Sequence, residues 1–424
     1  MMTPVWQEEI LEDLSAAKHA WNEVRKLPAA RKNKFLKTAA HELEKNQAAI
    51  LTANRQDLEA ARKENLNSAM LDRLTLNSAR IQAMAGGVRV VAGLADPVGR
   101  LQETWKRPNG LKISKVSVPI GVILIIYESR PNVTVECAAL CFKSGNAAIL
   151  RGGRESFHTN QALMQVLKQA LKKEKLPEAA MTLVSTTDRE AVDFLLKRDG
   201  DIHLVIPRGG ETLIRKVVEL SRIPVIKHYQ GICHVYVDRK ANFKKAEAIV
   251  FNAKVQRPGV CNAMETLLVH EKAAAKFLPV IGRKLQEAGC EIRADKSAWR
   301  HLKSVPGVRR AVPEDFGHEF LEKILAVKVV PGLQAAMDHI QTYGSAHTDA
   351  IVTEDKRAAQ TFKDEVDSSS VMVNASTRFA DGFEYGFGAE IGISTDKIHA
   401  RGPMGLEGLT SYKYIVEGKG QIRV

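Results

Sequence analysis

The chain has 424 residues, of which 45% are hydrophobic and five are cysteine, and its formal net charge is +13. This length exceeds what one simple core supports, so we expect two or three domains. Five unevenly spaced cysteines do not form a disulfide framework, and the longest strongly apolar run, Val122 to Ile126, is far too short to span a bilayer. Because the acidic, amphipathic stretch Met1 to Leu14 differs from a signal peptide, we expect a cytoplasmic protein.

The excess of positive charge is compatible with nucleic acid, a membrane surface or anionic small molecules as partners. The basic residues are scattered among acidic ones, as in Lys172-Lys173-Glu174-Lys175, and there is no arginine-rich tail, RNA-recognition motif or zinc-finger spacing. We interpret most of the charge as solvated surface, with a few arginines that bind anions. A nucleic-acid-binding protein without catalysis is an alternative that only the net charge supports.

The first hundred residues have a helical pattern, with apolar side chains at helical spacing at Leu36, Ala39, Ala40 and Leu43. Ala79 to Leu94 continues this pattern and ends at the turn signal Asp96-Pro97-Val98-Gly99. Gly110 to Pro119 then alternates apolar and polar residues, which predicts an extended strand.

From Gly121 onward, short apolar strands alternate with helices. We predict strands at 122–126, 147–150, 181–184, 202–206 and 225–226. The helices between them are predicted at 133–143, 155–173, 189–196 and 212–220. This alternation is typical of a parallel sheet covered on both faces, and right-handed crossovers make it a doubly wound, Rossmann-like unit.

A second alternating unit runs from Val235 to about Ala400. Its strands are predicted at 235–237, 266–269, 326–330, 350–352 and 370–373. The final stretch, Leu409 to Val424, is predicted to be extended. Since this stretch and Gly110 to Pro119 lie outside the main sheets, they are candidates for pairing across subunits.

A loop between a predicted helix, Lys244 to Lys254, and an apolar strand contains Cys261. Arg257-Pro258-Gly259 breaks regular structure just before the cysteine, so the thiol is presented where the backbone turns. Such a thiol can act as a nucleophile, with neighbouring backbone N–H groups as an oxyanion hole, and would form a covalent thioester-type intermediate. The alternative is a small hydrophobic residue that fills a core.

Two turns join a buried strand to a helix through a basic residue and paired glycines. They are centred on Arg151, Gly152 and Gly153 and on Arg208, Gly209 and Gly210. Parallel sheets bind ligands at the carboxyl ends of their strands, and helix N-termini attract phosphate, so we predict a dinucleotide site. Neither turn has the GxGxxG pattern, and the alternative is a plain turn with surface arginines.

Two other loops combine an arginine with small polar residues, and both follow predicted strands. A guanidinium group suits both carboxylate and phosphate, although each arginine alone could be an ordinary loop residue. We therefore predict that an anionic substrate is bound by Arg130, Asn132, Ser376, Thr377 and Arg378.

Cys137 and Cys141 are four residues apart on a predicted helix and could face a metal. No histidine or second cysteine pair lies at ligand spacing from them, which favours core packing over a metal site. His270, His301 and His339 also lack a companion at ligand spacing. We therefore predict no metal site.

Taken together, these stretches resemble the gamma-glutamyl phosphate reductase (glutamate-5-semialdehyde dehydrogenase) family, within the aldehyde dehydrogenase superfamily. The resemblance covers nearly the whole chain and is most specific in the Cys261 loop, Asn374 to Phe379 and His399 to Leu406. It also includes Ser129 to Thr134 and the two glycine turns.

The resemblance implies that NADPH reduces L-glutamyl 5-phosphate to L-glutamate 5-semialdehyde and that phosphate is released, the second step of proline biosynthesis from glutamate. Cys261 matches the family's nucleophile, and the two glycine turns would line the dinucleotide site. Glu319 matches a carboxylate that binds the nicotinamide ribose, although the usual Gly-Pro after it is missing. The sequence leaves the preference for NADP over NAD open, with Arg154 and Lys172 as candidates for a 2′-phosphate contact.

One departure from the wider superfamily bears on the reaction. Hydrolytic aldehyde dehydrogenases have a glutamate in a Glu-Leu-Gly-Gly pattern ahead of the nucleophile, and here the matching segment is His228-Tyr229-Gln230-Gly231. The base that activates water is therefore missing, which favours acyl phosphate chemistry. His228 is an alternative base, so a hydrolytic NAD(P)-dependent aldehyde dehydrogenase stays open as the second hypothesis.

The implied fold is α/β and aldehyde dehydrogenase-like, with two doubly wound Rossmann-like domains and a small β oligomerisation flap. Residues 1–104 and 119–230 would form the dinucleotide-binding domain, 231–404 the catalytic domain, and 105–118 with 405–424 the flap. The flap implies a homo-oligomer of a size that the sequence leaves open. The activity implies a functional association with glutamate 5-kinase, and we expect no nucleic-acid or membrane partner.

Overall fold

The computed structural model describes residues 4–423, except for the side chains of Ser68 and Ala69. Met1 to Thr3 and Val424, which belong to the predicted N-terminal stretch and the predicted flap, lie outside the described residues. The chain forms two compact units. The first runs to Lys227 and includes Gly386–Gly392 and the segment from Met404; the second comprises His228–Tyr385 and Ile393–Pro403. The predicted domains instead divide after residue 230 and treat the flap as separate.

The N-terminal third of the first unit is helical, as predicted. Its helices are α1 (Val5–Val24), α2 (Ala29–Lys45), α3 (Gln47–Lys63), α4 (Ser68–Leu74) and α5 (Ser78–Gly93). Leu36, Ala39 and Leu43 are fully buried on α2, because their spacing places them on one face of the helix. Ile10 and Leu14 of α1 pack against apolar strand residues of the same unit.

Two strands, the exposed β1 (Leu101–Lys106) and the half-buried β2 (Lys112–Pro119), lead into a parallel sheet. The sheet contains β3 (Val122–Tyr127), β4 (Ala147–Arg151), β5 (Met181–Leu183) and β6 (Leu204–Arg208) in the order β5-β4-β3-β6. Between and after these strands lie α6 (Asn132–Lys143), α7 (Phe157–Lys173), α8 (Glu190–Leu195) and α9 (Glu211–Leu220). The predicted alternation is confirmed, and only Val225 of the predicted strand at 225–226 forms a bridge, with Val205.

The described part of the second unit contains seven parallel strands. They are β7 (Cys233–Val237), β8 (Met264–His270), β9 (Glu291–Ala294), β10 (Arg309–Arg310), β11 (Ile324–Val330), β12 (Thr348–Val352) and β13 (Ser370–Val373). The spatial order is β10-β9-β11-β8-β7-β12-β13. The sequence prediction missed β9 and β10, because these short strands near one edge of the sheet carry charged residues in place of an apolar run.

Helices cover both faces of this seven-stranded sheet. They are α10 (Phe243–Val255), α11 (Glu271–Glu287), α12 (Lys296–Leu302), α13 (Leu333–Tyr343) and α14 (Lys356–Glu365). Val235 and Val237 pack in the core on one face, whereas Tyr236 packs in the core on the other, as the twofold repeat of a strand requires. The unit is therefore doubly wound, as predicted.

Toward the C-terminus, the chain leaves the first unit within β14 (Gly392–Ser394) and returns to it within β15 (Gly402–Met404). The last strand is β16 (Thr410–Glu417). β16 pairs antiparallel with β2, and β1 completes this three-stranded sheet. The two extended segments that were candidates for pairing across subunits thus pair with each other within one chain. Among residues 4–423, no helix has both the length and the apolar character needed to cross a membrane.

A buried ion pair closes the loop between α10 and β8. Lys254 lies at the end of the helix and Glu265 at the start of the strand; both side chains are fully buried, and Nζ lies 2.5 Å from Oε2. Glu265 also accepts a hydrogen bond from the backbone N–H of Leu321, at 3.2 Å. Burial raises the pKa of Glu265, and the charge of Lys254 opposes this shift. The pair therefore fixes both ends of the loop that contains Cys261.

Removing one partner of this pair should leave the other charge buried and uncompensated. We expect Lys254→Met to lower the free energy of unfolding by about 3–5 kcal/mol, measured by urea denaturation. Lys284→Met, which removes a half-exposed ion pair with Glu247 in the same unit, should cost less than about 1 kcal/mol. The double variant Lys254→Met/Glu265→Gln should regain part of the loss. Equal losses in the two single variants would contradict this interpretation.

Candidate active site

Two cysteines and a histidine of the candidate site in the second unit lie at the amino-terminal ends of parallel strands. Cys233 begins β7, Cys261 lies three residues before β8, and His347 directly precedes β12. β8, β7 and β12 are neighbours in the sheet, and parallel strands bring their amino-terminal ends to the same edge. Residues far apart in sequence therefore meet beside Cys261.

Cys261 lies in the loop between α10 and β8, as predicted. It is partly exposed, whereas the other four cysteines, all within the described residues, are buried. Burial raises the pKa of Cys137 to about 12 and that of Cys290 to about 11, so these thiols are neutral at physiological pH. Exposure and loop position together single out Cys261 as the thiol that can meet a substrate.

The backbone of Cys261 is held from two directions. A Cβ atom added to Gly231 would overlap the Cys261 carbonyl group, so only glycine permits this close approach. The Cys233 thiol donates a hydrogen bond to the Cys261 carbonyl oxygen, at 3.2 Å, and burial raises its pKa, which keeps it a donor. Gly231 in turn donates its N–H to Glu319 Oε1, at 2.9 Å.

Two histidines stand beside the Cys261 thiol. One ring nitrogen of His228, one of His347 and Cys261 Sγ lie within 4.8 Å of one another. His228 Nδ1 lies 2.8 Å from the carbonyl oxygen of Ile393, to which it donates, so Nε2 holds the lone pair in the neutral ring. Burial, and then the nearby His228, lower the pKa of His347 to about 3, so His347 is neutral. The arrangement places a thiol close to imidazole nitrogens that are able to accept a proton.

Arg378 also reaches the Cys261 loop. Its Nε donates to Gln256 Oε1 at 2.8 Å, and its Nη1 donates to Asn262 Oδ1, on either side of Cys261. Burial, and then the charge of Arg257, lower its pKa from the ordinary arginine value. Ser376 and Thr377 are buried just before Arg378, and Thr377 Oγ1 has no hydrogen-bond partner among the described residues. The structure thus brings three of the five predicted substrate residues into the second unit.

Arg130 and Asn132, the other two predicted substrate residues, belong to the first unit. They follow β3 at its carboxyl end, and Asn132 Nδ2 donates to Glu136 Oε1, at 2.9 Å. The same edge of this sheet holds the two glycine turns, because β4, β3 and β6 are adjacent and parallel.

The glycine turns carry internal contacts at the positions predicted for a dinucleotide. Arg151 is largely buried, and its guanidinium donates to the carbonyl oxygens of Gly152, at 2.7 Å, and Thr187, at 2.8 Å. In this structure it therefore holds neighbouring loops in place. At the other turn, Glu128 accepts a hydrogen bond from the N–H of Gly210, at 3.0 Å, at the start of α9.

A cavity of about 820 Å³ lies beside the first of these turns, since its lining includes Arg154 and Glu155, which directly follow Gly153. Its lining includes Arg154, His158 and the loop Ser185 to Thr187 that follows β5. Arg154 Nη2 lies 2.8 Å from the carboxylate of Glu64, which also lines the cavity. The lining thus combines the Arg154 guanidinium and hydrogen-bonding side chains with several carboxylates, those of Glu9, Asp57, Glu64 and Glu155.

Sequence reasoning missed His347, Cys233 and the Lys254–Glu265 pair. None of them has a companion at ligand or catalytic spacing along the chain. The order of the strands alone places them beside Cys261. The sequence draws attention to Gly231 only as part of the segment His228 to Gly231. No pattern in the sequence predicts its close contact with Cys261.

Three comparisons with known proteins agree. The model of the aldehyde dehydrogenase family matches residues 4–297. Gamma-glutamyl phosphate reductases from Geobacter metallireducens and Carboxydothermus hydrogenoformans are each 53% identical over 416 residues, covering 98% of this chain and 99% and 100% of theirs. The crystal structure of the gamma-glutamyl phosphate reductase from Thermotoga maritima has a TM-score of 0.95 and 44% identity, covering 98% of this chain and all of that one.

These matches confirm the predicted aldehyde dehydrogenase-like α/β fold. Their identities and coverage extend over nearly the whole chain and include the Cys261 loop. The chain therefore belongs to the aldehyde dehydrogenase family and, within it, to the gamma-glutamyl phosphate reductases.

Proposed function

We propose that this protein uses NADPH to reduce L-glutamyl 5-phosphate to L-glutamate 5-semialdehyde, with release of inorganic phosphate, as the second step of proline biosynthesis. The main support is the 53% identity to gamma-glutamyl phosphate reductases over 98% of the chain. The partly exposed Cys261, which has two histidine rings close to its thiol, provides the chemistry that this reaction needs.

In the first half of the reaction, Cys261 acts as the nucleophile and His228 as the general base. Nε2 of His228 accepts the thiol proton while the sulfur attacks the acyl carbon of the substrate. A carbon–sulfur bond forms, the carbon–oxygen bond to phosphate breaks, and phosphate leaves with its electron pair. The product is a thioester on Cys261.

In the second half, a nicotinamide cofactor held at the glycine turns would supply the hydride that the thioester carbonyl on Cys261 accepts. The resulting oxyanion reforms the carbonyl and expels the Cys261 thiolate, which releases the aldehyde. The His228 imidazolium then returns its proton to the sulfur, so the enzyme regains its starting state. Cys233 and Gly231 hold the Cys261 backbone throughout, which keeps the thiol at one position.

The phosphorylating reaction is favoured over hydrolysis by the residues ahead of the nucleophile. The segment His228 to Gly231 contains no carboxylate that could activate water. His228 is the only base in this segment. Because a base that accepts the thiol proton could also activate water, a hydrolytic aldehyde dehydrogenase stays the alternative to be tested. Phosphate needs no such base, because it is already a competent nucleophile toward the thioester in the reverse direction.

Arg378, Ser376 and Thr377 are our candidates for the anionic groups of the substrate. Arg378 reaches both sides of the Cys261 loop, and its guanidinium group suits a phosphate or a carboxylate. Arg130 and Asn132 stay predictions of the same kind in the first unit.

The cofactor is proposed to bind the first unit at the edge where β4, β3 and β6 end. The glycines of the two turns, Gly152, Gly153, Gly209 and Gly210, would allow the protein backbone to approach the dinucleotide closely. Arg151 and Arg208 would shape the two turns. Within the second unit, Glu319 stays our candidate for the nicotinamide ribose. We assign the preference for NADPH to Arg154, because it lines the cavity beside the first of these turns, whereas Lys172 lies near the distant end of α7.

The predicted division of labour follows from this proposal. Residues 1–104 and 119–230 would bind the dinucleotide, 231–404 would carry the nucleophile, and 105–118 with 405–424 would form the oligomerisation flap. An association with glutamate 5-kinase, which makes the acyl phosphate, stays a prediction.

The central test is an assay in the direction of semialdehyde oxidation. We expect NADP⁺ reduction to require inorganic phosphate, because phosphate must attack the thioester and displace the Cys261 thiolate. Turnover without phosphate would identify the hydrolytic alternative. Cys261→Ala should lower kcat by at least about 10³-fold, and His228→Gln by about 10²–10⁴-fold. Cys290→Ala, at a buried thiol in the core of the same unit, should keep the activity. Full activity in Cys261→Ala would refute the mechanism.

The cofactor assignment predicts a selective effect. Arg154→Ala should raise the KM for NADPH by about 10–100-fold, because a charged hydrogen bond to the 2′-phosphate is lost, while the KM for NADH changes little. Lys172→Ala should leave both KM values unchanged. Equal effects of Arg154→Ala on the two cofactors would show that Arg154 does not read the 2′-phosphate.

The flap assignment predicts a homo-oligomer. β1 and β16 form the edges of their sheet and expose large apolar side chains at Leu101, Tyr412, Tyr414, Ile415 and Val416. Exposed apolar strands of this kind mark an interaction surface. Sedimentation velocity should therefore detect a dimer or larger species, and Ile415→Lys/Val416→Lys should shift the protein toward monomer. A wild-type monomer would contradict the assignment.

A further inference from the structure

The three side chains around the nucleophile have the composition of a zinc site. Cys261 offers a thiol and His228 and His347 offer ring nitrogens, and the three ligand atoms lie within 4.8 Å of one another. Zinc bonds of about 2.0–2.3 Å in a tetrahedron place neighbouring ligand atoms about 3.4 Å apart. Closing that difference requires rotation of the side chains, chiefly of the partly exposed Cys261 and His228.

Both histidine rings already make the contacts that orient a metal ligand. The His228 ring donates Nδ1–H to the carbonyl oxygen of Ile393, at 2.8 Å. The His347 ring places Nδ1 2.9 Å from the hydroxyl oxygen of Thr348. Histidines that bind zinc use their second ring nitrogen in this way, which fixes the ring and leaves the other nitrogen for the metal.

His347 provides an independent observation. The residue is fully buried, and its Nε2 has no hydrogen-bond partner among residues 4–423. A buried polar atom without a partner is uncommon and needs a physical explanation. A cation bound between the two rings and the thiol would provide the partner for this atom.

The donor set selects the class of ion. One sulfur and two imidazole nitrogens suit Zn²⁺, whereas Ca²⁺ and Mg²⁺ require oxygen ligands. Partial exposure of Cys261 and His228 leaves a route for the ion and a fourth position for water. Cys233, whose sulfur lies 3.6 Å from His347 Nδ1, supports the other edge of the ring.

We propose that His228, Cys261 and His347 form a Zn²⁺ site that reversibly blocks the nucleophile. Binding forms a zinc–sulfur bond and releases the thiol proton to the buffer, without any change of oxidation state. The inhibition rests on the function proposed above, because it requires Cys261 to be the nucleophile. The binding itself does not depend on that function.

The site can be tested by metal binding to the full-length protein, reduced with a phosphine and free of chelators. Co²⁺ should bind at one equivalent per chain and produce the near-ultraviolet charge-transfer band of a thiolate ligand, which Zn²⁺ should abolish by displacement. Cys261→Ala should eliminate the band. His347→Gln should weaken Zn²⁺ binding by at least about 10-fold. His339→Gln is the matched control, because His339 is also buried with an unpartnered Nε2 but lies outside the cluster.

Circular dichroism will show whether each variant folds, and His228→Asn replaces His347→Gln if the latter does not. Absence of the charge-transfer band in the wild-type protein would overturn the proposal, as would a band that persists in Cys261→Ala. In parallel, stoichiometric Zn²⁺ should inhibit NADP⁺ reduction and protect Cys261 from iodoacetamide, and EDTA should reverse both effects. A band in a protein without turnover would refute the proposed function and leave the zinc site standing.

Discussion

The position of Cys261, our proposed nucleophile, is fixed in part by the buried ion pair between Lys254 and Glu265. This pair joins the two ends of the Cys261 loop, and Glu265 also binds the backbone of Leu321, two residues after Glu319. Glu319 accepts the N–H of Gly231, and Gly231 packs directly on the Cys261 carbonyl group. These contacts therefore hold the Cys261 loop at its two ends and at the Cys261 carbonyl group.

The glycine turns of the first unit and the Cys261 cluster of the second unit lie at opposite ends of their own strands. In the first unit the glycine turns follow β4 and β6, where parallel sheets ordinarily bind ligands. In the second unit Cys233, Cys261 and His347 precede or begin their strands. Parallel alignment brings strand ends together at either edge of a sheet, which gathers the glycine turns at one edge in the first unit and Cys261 with its neighbours at the other edge in the second.

The basic residues behind the net charge of +13 have different structural environments. Arg151 donates hydrogen bonds to carbonyl oxygens of neighbouring loops and so stabilises the structure of the first unit. Arg378 bonds to side chains on both sides of Cys261, and burial lowers its pKa, so its charge lies where an anionic substrate would arrive in our proposal. Identical residue types in similar loops thus have different surroundings, which only packing determines.

The sequence by itself determined the alternation of strands and helices, the display of Cys261 in a loop, and the family, because periodicity and motifs are local properties of the chain. It did not determine that His347 and Cys233 lie beside Cys261, or that β2 pairs with β16 within one chain. Those contacts join residues that are separated by tens to hundreds of positions. Strand order and close backbone packing decide them, and neither leaves a pattern along the sequence.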